Sequence, residues 1–144
     1  MSYTTYAFED LSCVIKHPSA GQFDLQGTGA GSITFAMAND VSAHDLAADG
    51  TVMVSKIKAG NGTVAIEVQQ TSDLHKWLTK LYNYLTAASS DEWAQTSLMA
   101  TAPNMQTTHE CDGMSVQKRG DKAYQQQGQR VTWTFMAADM KETV

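Results

Sequence analysis

The chain has 144 residues, of which 42% are hydrophobic and only 17% charged; 15 acidic and 10 basic side chains give a formal net charge of −5. That length suits one domain rather than two. The scarcity of Lys and Arg excludes a generic basic nucleic-acid binder, which must neutralise phosphates, and the apolar share is too high for a disordered chain. Low charge on an ordinary core leaves a neutral polar surface of Thr, Ser, Gln, Asn and Gly, of a kind that other subunits can cover.

The opening MSYTTYAFEDLS has neither a basic nor an apolar region, so it does not read as a signal peptide. No apolar run exceeds four residues, whereas a membrane helix needs about 20. The expectation is a protein kept in the cytosol with no membrane contact. Cys13 and Cys111 lie 98 positions apart and belong to no CxxC pair. They are expected as free thiols packed like small hydrophobes.

Leu11, Cys13 and Ile15 alternate with Ser12, Val14 and Lys16, which predicts a first strand with one apolar face. His17-Pro18 and Gly21 mark a turn, and Phe23 and Leu25 a second, short strand. The run GTGAG, Gly27 to Gly31, reads as a flexible turn before a third strand that carries Ile33, Phe35 and Met37 on one side. Strand, glycine-rich turn and strand predict an antiparallel hairpin. Asn39 to Gly50 shows no strand period and reads as either a capped helical turn from Ser42 or a projecting loop. Thr51–Lys58 and Thr63–Gln69 follow as strands, with Gly60-Asn61-Gly62 as a hairpin turn between them.

Thr71, Ser72 and Asp73 can cap a helix. Leu74, Trp77, Leu78, Leu81 and Leu85 then share one face, and His75, Lys76, Thr79, Lys80, Asn83 and Thr86 fall largely on the other. The helix is expected to end near Ala88. Gln95 to Thr101 predicts a strand stopped by Pro103. Thr107–Cys111 and Ser115–Lys118 read as two strands separated by Asp112-Gly113. Lys118–Gln129 reads as a polar loop. Arg130–Ala137 alternates cleanly, with Val131, Trp133 and Phe135 on the apolar side. The sum is a mainly β (α+β) fold, an antiparallel sandwich or barrel with one flanking helix, in a single domain over residues 1–144.

Motifs for chemistry are sparse. Gly27, Gly29 and Gly31 lack the third glycine and the following helix of a dinucleotide fingerprint. His109-Glu110-Cys111-Asp112 is one local cluster, whereas metal sites draw three or four ligands, usually from paired spacings. His44-Asp45 with Asp49 has no catalytic frame around it. Lys118, Arg119 and Lys122 form a small basic patch suited to salt bridges. From His17 to Ser55, 39 residues contain no Lys or Arg but include Asp24, Asp40, Asp45 and Asp49. Residues 1–72 hold three basic and seven acidic side chains, against seven and eight in residues 73–144. The acidity is therefore concentrated in the first half, a surface that repels nucleic acid.

Four segments together carry a resemblance: MSYTTYAFEDLSCVIKHPSAGQF, GSITFAMANDVSAHDLAADGTVMVSKI, GNGTVAIEVQQTSDLHKWLTKLYNYL and QGQRVTWTFMAADM. In order and spacing over nearly the whole chain they resemble the tail tube proteins of contractile-tailed bacteriophages, which are similar to the inner-tube proteins of type VI secretion. The resemblance implies a structural protein with no enzyme activity and no cofactor. It implies subunits that join sheets edge to edge into hexameric rings, and rings that stack into the virion's inner tail tube, assembled in the host cytoplasm. Phage DNA leaves through that tube without specific binding. Implied partners are further copies of the chain, the tail sheath, the baseplate and the tail terminator. On that pattern Gly21–Ala38 would line the lumen, with Asp24 a candidate. The loop Asn39–Gly50, including Asn39, Asp40, His44, Asp45 and Asp49, would stack rings. His75, Lys76 and Lys80 would face the sheath. Two other readings stay open from the residues alone. One is a monomeric β-sandwich that recognises a sugar or a protein, such as another tail or baseplate part. The other is a small hydrolase or metal enzyme using His44/Asp45 or His109/Cys111.

Overall fold

A computed structural model describes residues 2–25 and 29–144. Nine strands are present among them: β1 (Ser12–His17), β2 (Gly21–Asp24), β3 (Ala30–Met37), β4 (Ser42–Leu46), β5 (Val52–Lys56), β6 (Gly62–Gln69), β7 (Thr96–Ala102), β8 (Thr107–Lys118) and β9 (Arg130–Thr143). One helix, α1 (Asp73–Ala87), joins β6 to the β7 region. Seven strands form an antiparallel sheet in the order β2-β1-β7-β8-β9-β6-β3, and β4 and β5 form a separate ribbon. The mainly antiparallel β architecture with one helix is as the sequence predicts. It is realised as one curled sheet wrapped around the helix.

The alternation read from the sequence places the core. Cys13, Ile15, Val64, Ile66, Val68, Val131, Trp133 and Phe135 are all buried, and they face Leu74, Leu78, Leu81 and Leu85 of α1. Ser72 caps the helix: its hydroxyl accepts the His75 backbone N–H at 3.1 Å and donates to the Gln69 carbonyl at 2.7 Å. The sheet wraps both flanks of α1. His75 contacts Trp133 of β9 on one flank, at 5.9 Å between ring centroids. On the other flank Trp77 lies against Phe23 of β2 at 5.7 Å, and Tyr84 against His17 of β1 at 5.9 Å. At the other end of the sheet, Phe35 of β3 stacks flat on His109 of β8, with centroids 4.2 Å apart. β6 and β9 lie between those two strands in the sheet order, so this contact requires strong curling.

Four local expectations are corrected. β2 and β3 do not form a hairpin: β2 pairs with β1, β3 pairs with β6, and the two stand at opposite ends of the sheet. Of the glycine-rich turn, Gly27 and Thr28 lie outside the described residues. Gly60-Asn61-Gly62 does not close a β5–β6 hairpin, because β5 pairs with β4. Asn39–Gly50 projects as expected of one alternative, but as strand β4 and the tip of a ribbon and not as a loop without strand structure or a helical turn. Finally, β8 is one strand rather than two. Gly113, at φ 62, lets the strand continue through an irregularity, and the register against β7 shifts there.

Candidate assembly surfaces

The sheet ends in two strands that each have one partner. Among the described residues β2 pairs with β1 and β3 with β6, which makes them the two edge strands of the sheet. β2 spans four residues and β3 eight. Such edges template pairing with another chain unless they are blunted by charge, proline or a cover. β3 carries no charged residue and no proline. Asp24 is exposed at the end of β2, opposite Val14.

The ribbon β4–β5 grows out of the β3–β6 pair. The main ladder ends at Met37 opposite Gly62. The Ala38 N–H then donates to the Asn61 carbonyl at 3.3 Å, and the Ile57 N–H to the Val41 carbonyl at 2.9 Å. Ser42 pairs with Lys56, His44 with Val54, and Leu46 with Val52. The tip is a tight turn in which the Gly50 N–H donates to the Ala47 carbonyl at 3.0 Å, with Gly50 at φ 91. Thr51 donates its backbone N–H to Asp49 at 3.0 Å, which holds that carboxyl below its ordinary range. Every residue of β4 and β5 is exposed. Leu46, Val54 and Met53 are 72%, 63% and 60% accessible. A two-stranded ribbon with both faces in water gains little from burial, and its exposed apolar side chains mark an interaction surface. The predicted stacking residues Asn39, Asp40, His44, Asp45 and Asp49 all lie on this projection or at its base. Asn39 bridges the base by donating to the Asn61 side-chain oxygen at 3.0 Å.

The sheet face turned away from the helix is neutral over β3, β6 and β9. Thr34 aligns with Ala65 and Thr134, and Ala36 with Thr63 and Met136. The nearby charges, Glu67 and Arg130, neutralise each other at 2.7 Å. Part of the neutral polar surface inferred from composition lies here, in Thr34, Thr63 and Thr134.

Of the three helix residues assigned to an outer face, Lys76 and Lys80 are exposed, but His75 is 5% accessible. The Trp133 indole N–H donates to His75 Nδ1 at 3.1 Å. His75 lies about 100° around the helix from Leu74, which on a flat sheet would leave it in water. The curled sheet and the segment Arg119–Lys122 enclose it. Burial, then the nearby Lys122 and Arg119 charges, push its pKa below 6.5.

The remaining chemical candidates stay apart. His109 is occupied by Phe35 and lies 3.9 Å from Glu142. Cys111 beside it is a buried free thiol, pushed up to about 11 by burial and the Asp112 and Asp139 carboxylates. Cys13 is likewise free and pushed up to about 12, chiefly by burial. No three or more His, Cys, Asp or Glu side chains converge on a metal-sized site among the described residues. No helix among them is long and apolar enough to cross a membrane. Sequence reasoning missed the ribbon pairing and the enclosure of His75.

Comparison with known proteins follows this geometry. Residues 3–144 match the sequence family described as "Bacteriophage PhiTE tail tube protein". No curated protein shows significant sequence similarity to the chain. Among solved structures, a chain of the extended sheath–tube complex of the extracellular contractile injection system PVC superposes with a TM-score of 0.65 at 6% identity, covering 96% of this chain and 91% of that one. A chain from the PVC sheath/tube terminator gives 0.66 at 6% identity over 99% of both chains. A chain from the baseplate of the anti-feeding prophage gives 0.62 at 14% identity over 99% and 97%. At these identities the structural likeness establishes the fold.

Proposed function

Since the chain belongs to the bacteriophage PhiTE tail tube protein family, we propose that residues 1–144 form one tail tube domain that assembles into hexameric rings, stacked as the inner tube of a contractile tail. The observation that carries this reading is the seven-stranded sheet with an edge strand at each end among the described residues, extended by a wholly exposed ribbon. In a closed ring, β2 of one copy lies beside β3 of the next. Cyclic closure pairs both edge strands of the main sheet, which turns an aggregation hazard into an interface.

The ribbon, with Asn39, Asp40, His44, Asp45 and Asp49, reaches the next ring in this scheme and buries Leu46, Val54 and Met53 against it. The neutral outer face of the sheet and Asp24 line the lumen, where a surface poor in cations lets phage DNA slide during ejection. Lys76 and Lys80 on the outward side of α1 meet the sheath, while baseplate and terminator proteins close the two ends. His75 has no part in the sheath contact. Assembly takes place in the host cytoplasm, and the protein has a structural role in the virion tail with no catalytic one. Negative-stain microscopy of the purified chain tests this reading. Rings and hollow tubes support it, whereas compact monomers at every concentration favour a monomeric binding module.

A further inference from the structure

Beside α1, the segment Arg119–Lys122 folds over the helix flank and leaves an open cavity lined by His75, Thr79, Arg119, Asp121, Lys122 and Tyr124. We propose that this cavity is a binding site for a carboxylate group. Three observations converge on it.

The first is an imidazole N–H on the cavity wall. Trp133 donates to His75 Nδ1 at 3.1 Å, so that nitrogen must be unprotonated. The neutral ring then carries its proton on Nε2. No described residue accepts from Nε2, and His75 lines the cavity. Nε2 is therefore a donor free to meet an oxygen acceptor that enters the cavity.

The second is the charge. Arg119 and Lys122 are exposed and pair with no carboxylate among the described residues within salt-bridge distance. They rest over the rings of Tyr82 and Tyr124, at 5.3 and 5.4 Å. With Asp121 the lining sums to +1, which one carboxylate neutralises and a phosphate dianion would overshoot. The third is the chemistry of the donors. A guanidinium and an imidazole N–H both fit the in-plane lone pairs of a carboxylate. The inference does not depend on tube assembly.

The test uses the full chain labelled with ¹⁵N-histidine. It is titrated with acetate, and separately with a diglutamate peptide blocked at both ends. Both probes are expected to shift the His75 Nε2 signal saturably. The Arg119→Gln/Lys122→Gln variant should bind at least about tenfold more weakly, the effect of losing charge-assisted hydrogen bonds. Lys76→Gln/Lys80→Gln, which removes the same charge from the helix outside the cavity, should leave affinity within about twofold, because exposed charges that do not line the site are screened. Tighter binding of the peptide than of acetate would show that a neighbouring polypeptide supplies the carboxylate. Equal binding would point to a small free acid. Absence of a His75 shift with both probes would overturn the site. So would an equal loss in the Lys76/Lys80 variant, or tighter binding of inorganic phosphate than of acetate.

Discussion

The His75–Trp133 pair makes folding stability depend on pH in a calculable way. The indole N–H can donate only to an unprotonated Nδ1. Protonation would set two donors against each other inside the core. Burial, Lys122 and Arg119 all lower the folded-state pKa below the ordinary 6.5. The unfolded chain therefore takes up a proton as pH falls through 6.5, while the folded chain resists. The contribution of His75 to stability is complete above 6.5 and is lost progressively between 6.5 and the lowered folded value. The loss cannot exceed about 1.4 kcal/mol per pH unit across that window. Urea denaturation at pH values from about 7.5 to 5 measures it, with His75→Gln as the reference, because Gln offers an oxygen to Trp133 and does not titrate. Excising the ribbon from both proteins keeps assembly from adding its own linkage. The difference between wild type and His75→Gln should narrow or reverse by the order of 1 kcal/mol as pH falls. Parallel pH profiles would refute the reasoning, since the other histidines and carboxylates are common to both proteins.

Four further outcomes follow from the same contacts. Replacing residues 41–57 by a short Gly-Ser turn should leave the melting temperature of the monomer nearly unchanged, because every residue of β4 and β5 is exposed, yet abolish tubes in electron micrographs. Trp133→Ala should cost about 3–5 kcal/mol in urea denaturation as a fully buried ring, and Trp77→Ala, half-buried against Phe23, about 2 kcal/mol. Ser72→Ala should cost about 1 kcal/mol through loss of the helix cap. Cys13 and Cys111 should resist a thiol reagent in native buffer at pH 8 and react on unfolding, since both are buried and their thiols are pushed up to about 12 and about 11.

Where one side of an element meets the core and the other meets water, the sequence was a sufficient guide. β1, β6, β9 and α1 each alternate or repeat for that reason, and the buried apolar residues of β1, β9 and α1 were read correctly. The failures share a cause, which is that long-range pairing leaves no local trace. β2 and β3 are neighbours in the chain and sit at opposite ends of the sheet because β1 and β6 offer them better partners. The ribbon β4–β5 buries neither face, so Ser42, His44 and Leu46 carry no apolar period. Asp112-Gly113 looked like a break because a bulge and a turn use the same residues. His75 looked solvent-facing because a helical wheel assumes a flat neighbour, whereas this sheet curls past the helix on both sides. Absence of basic charge singled out Asp24 as a candidate, and length and lack of a strand period singled out Asn39–Gly50, but nothing in the sequence revealed the ladder that holds that stretch out from the sheet.

The central claim is that the edge strands β2 and β3 join between copies. Cysteines placed at Gln22 and Thr34, on a background with Cys13 and Cys111 replaced by Ala, test it most directly. Bifunctional thiol cross-linking of assembled protein should give a ladder of covalent oligomers that closes at the hexamer, with Gln22 of one copy joined to Thr34 of the next. A ladder absent from assembled tubes, or cross-links within single chains only, would contradict the account.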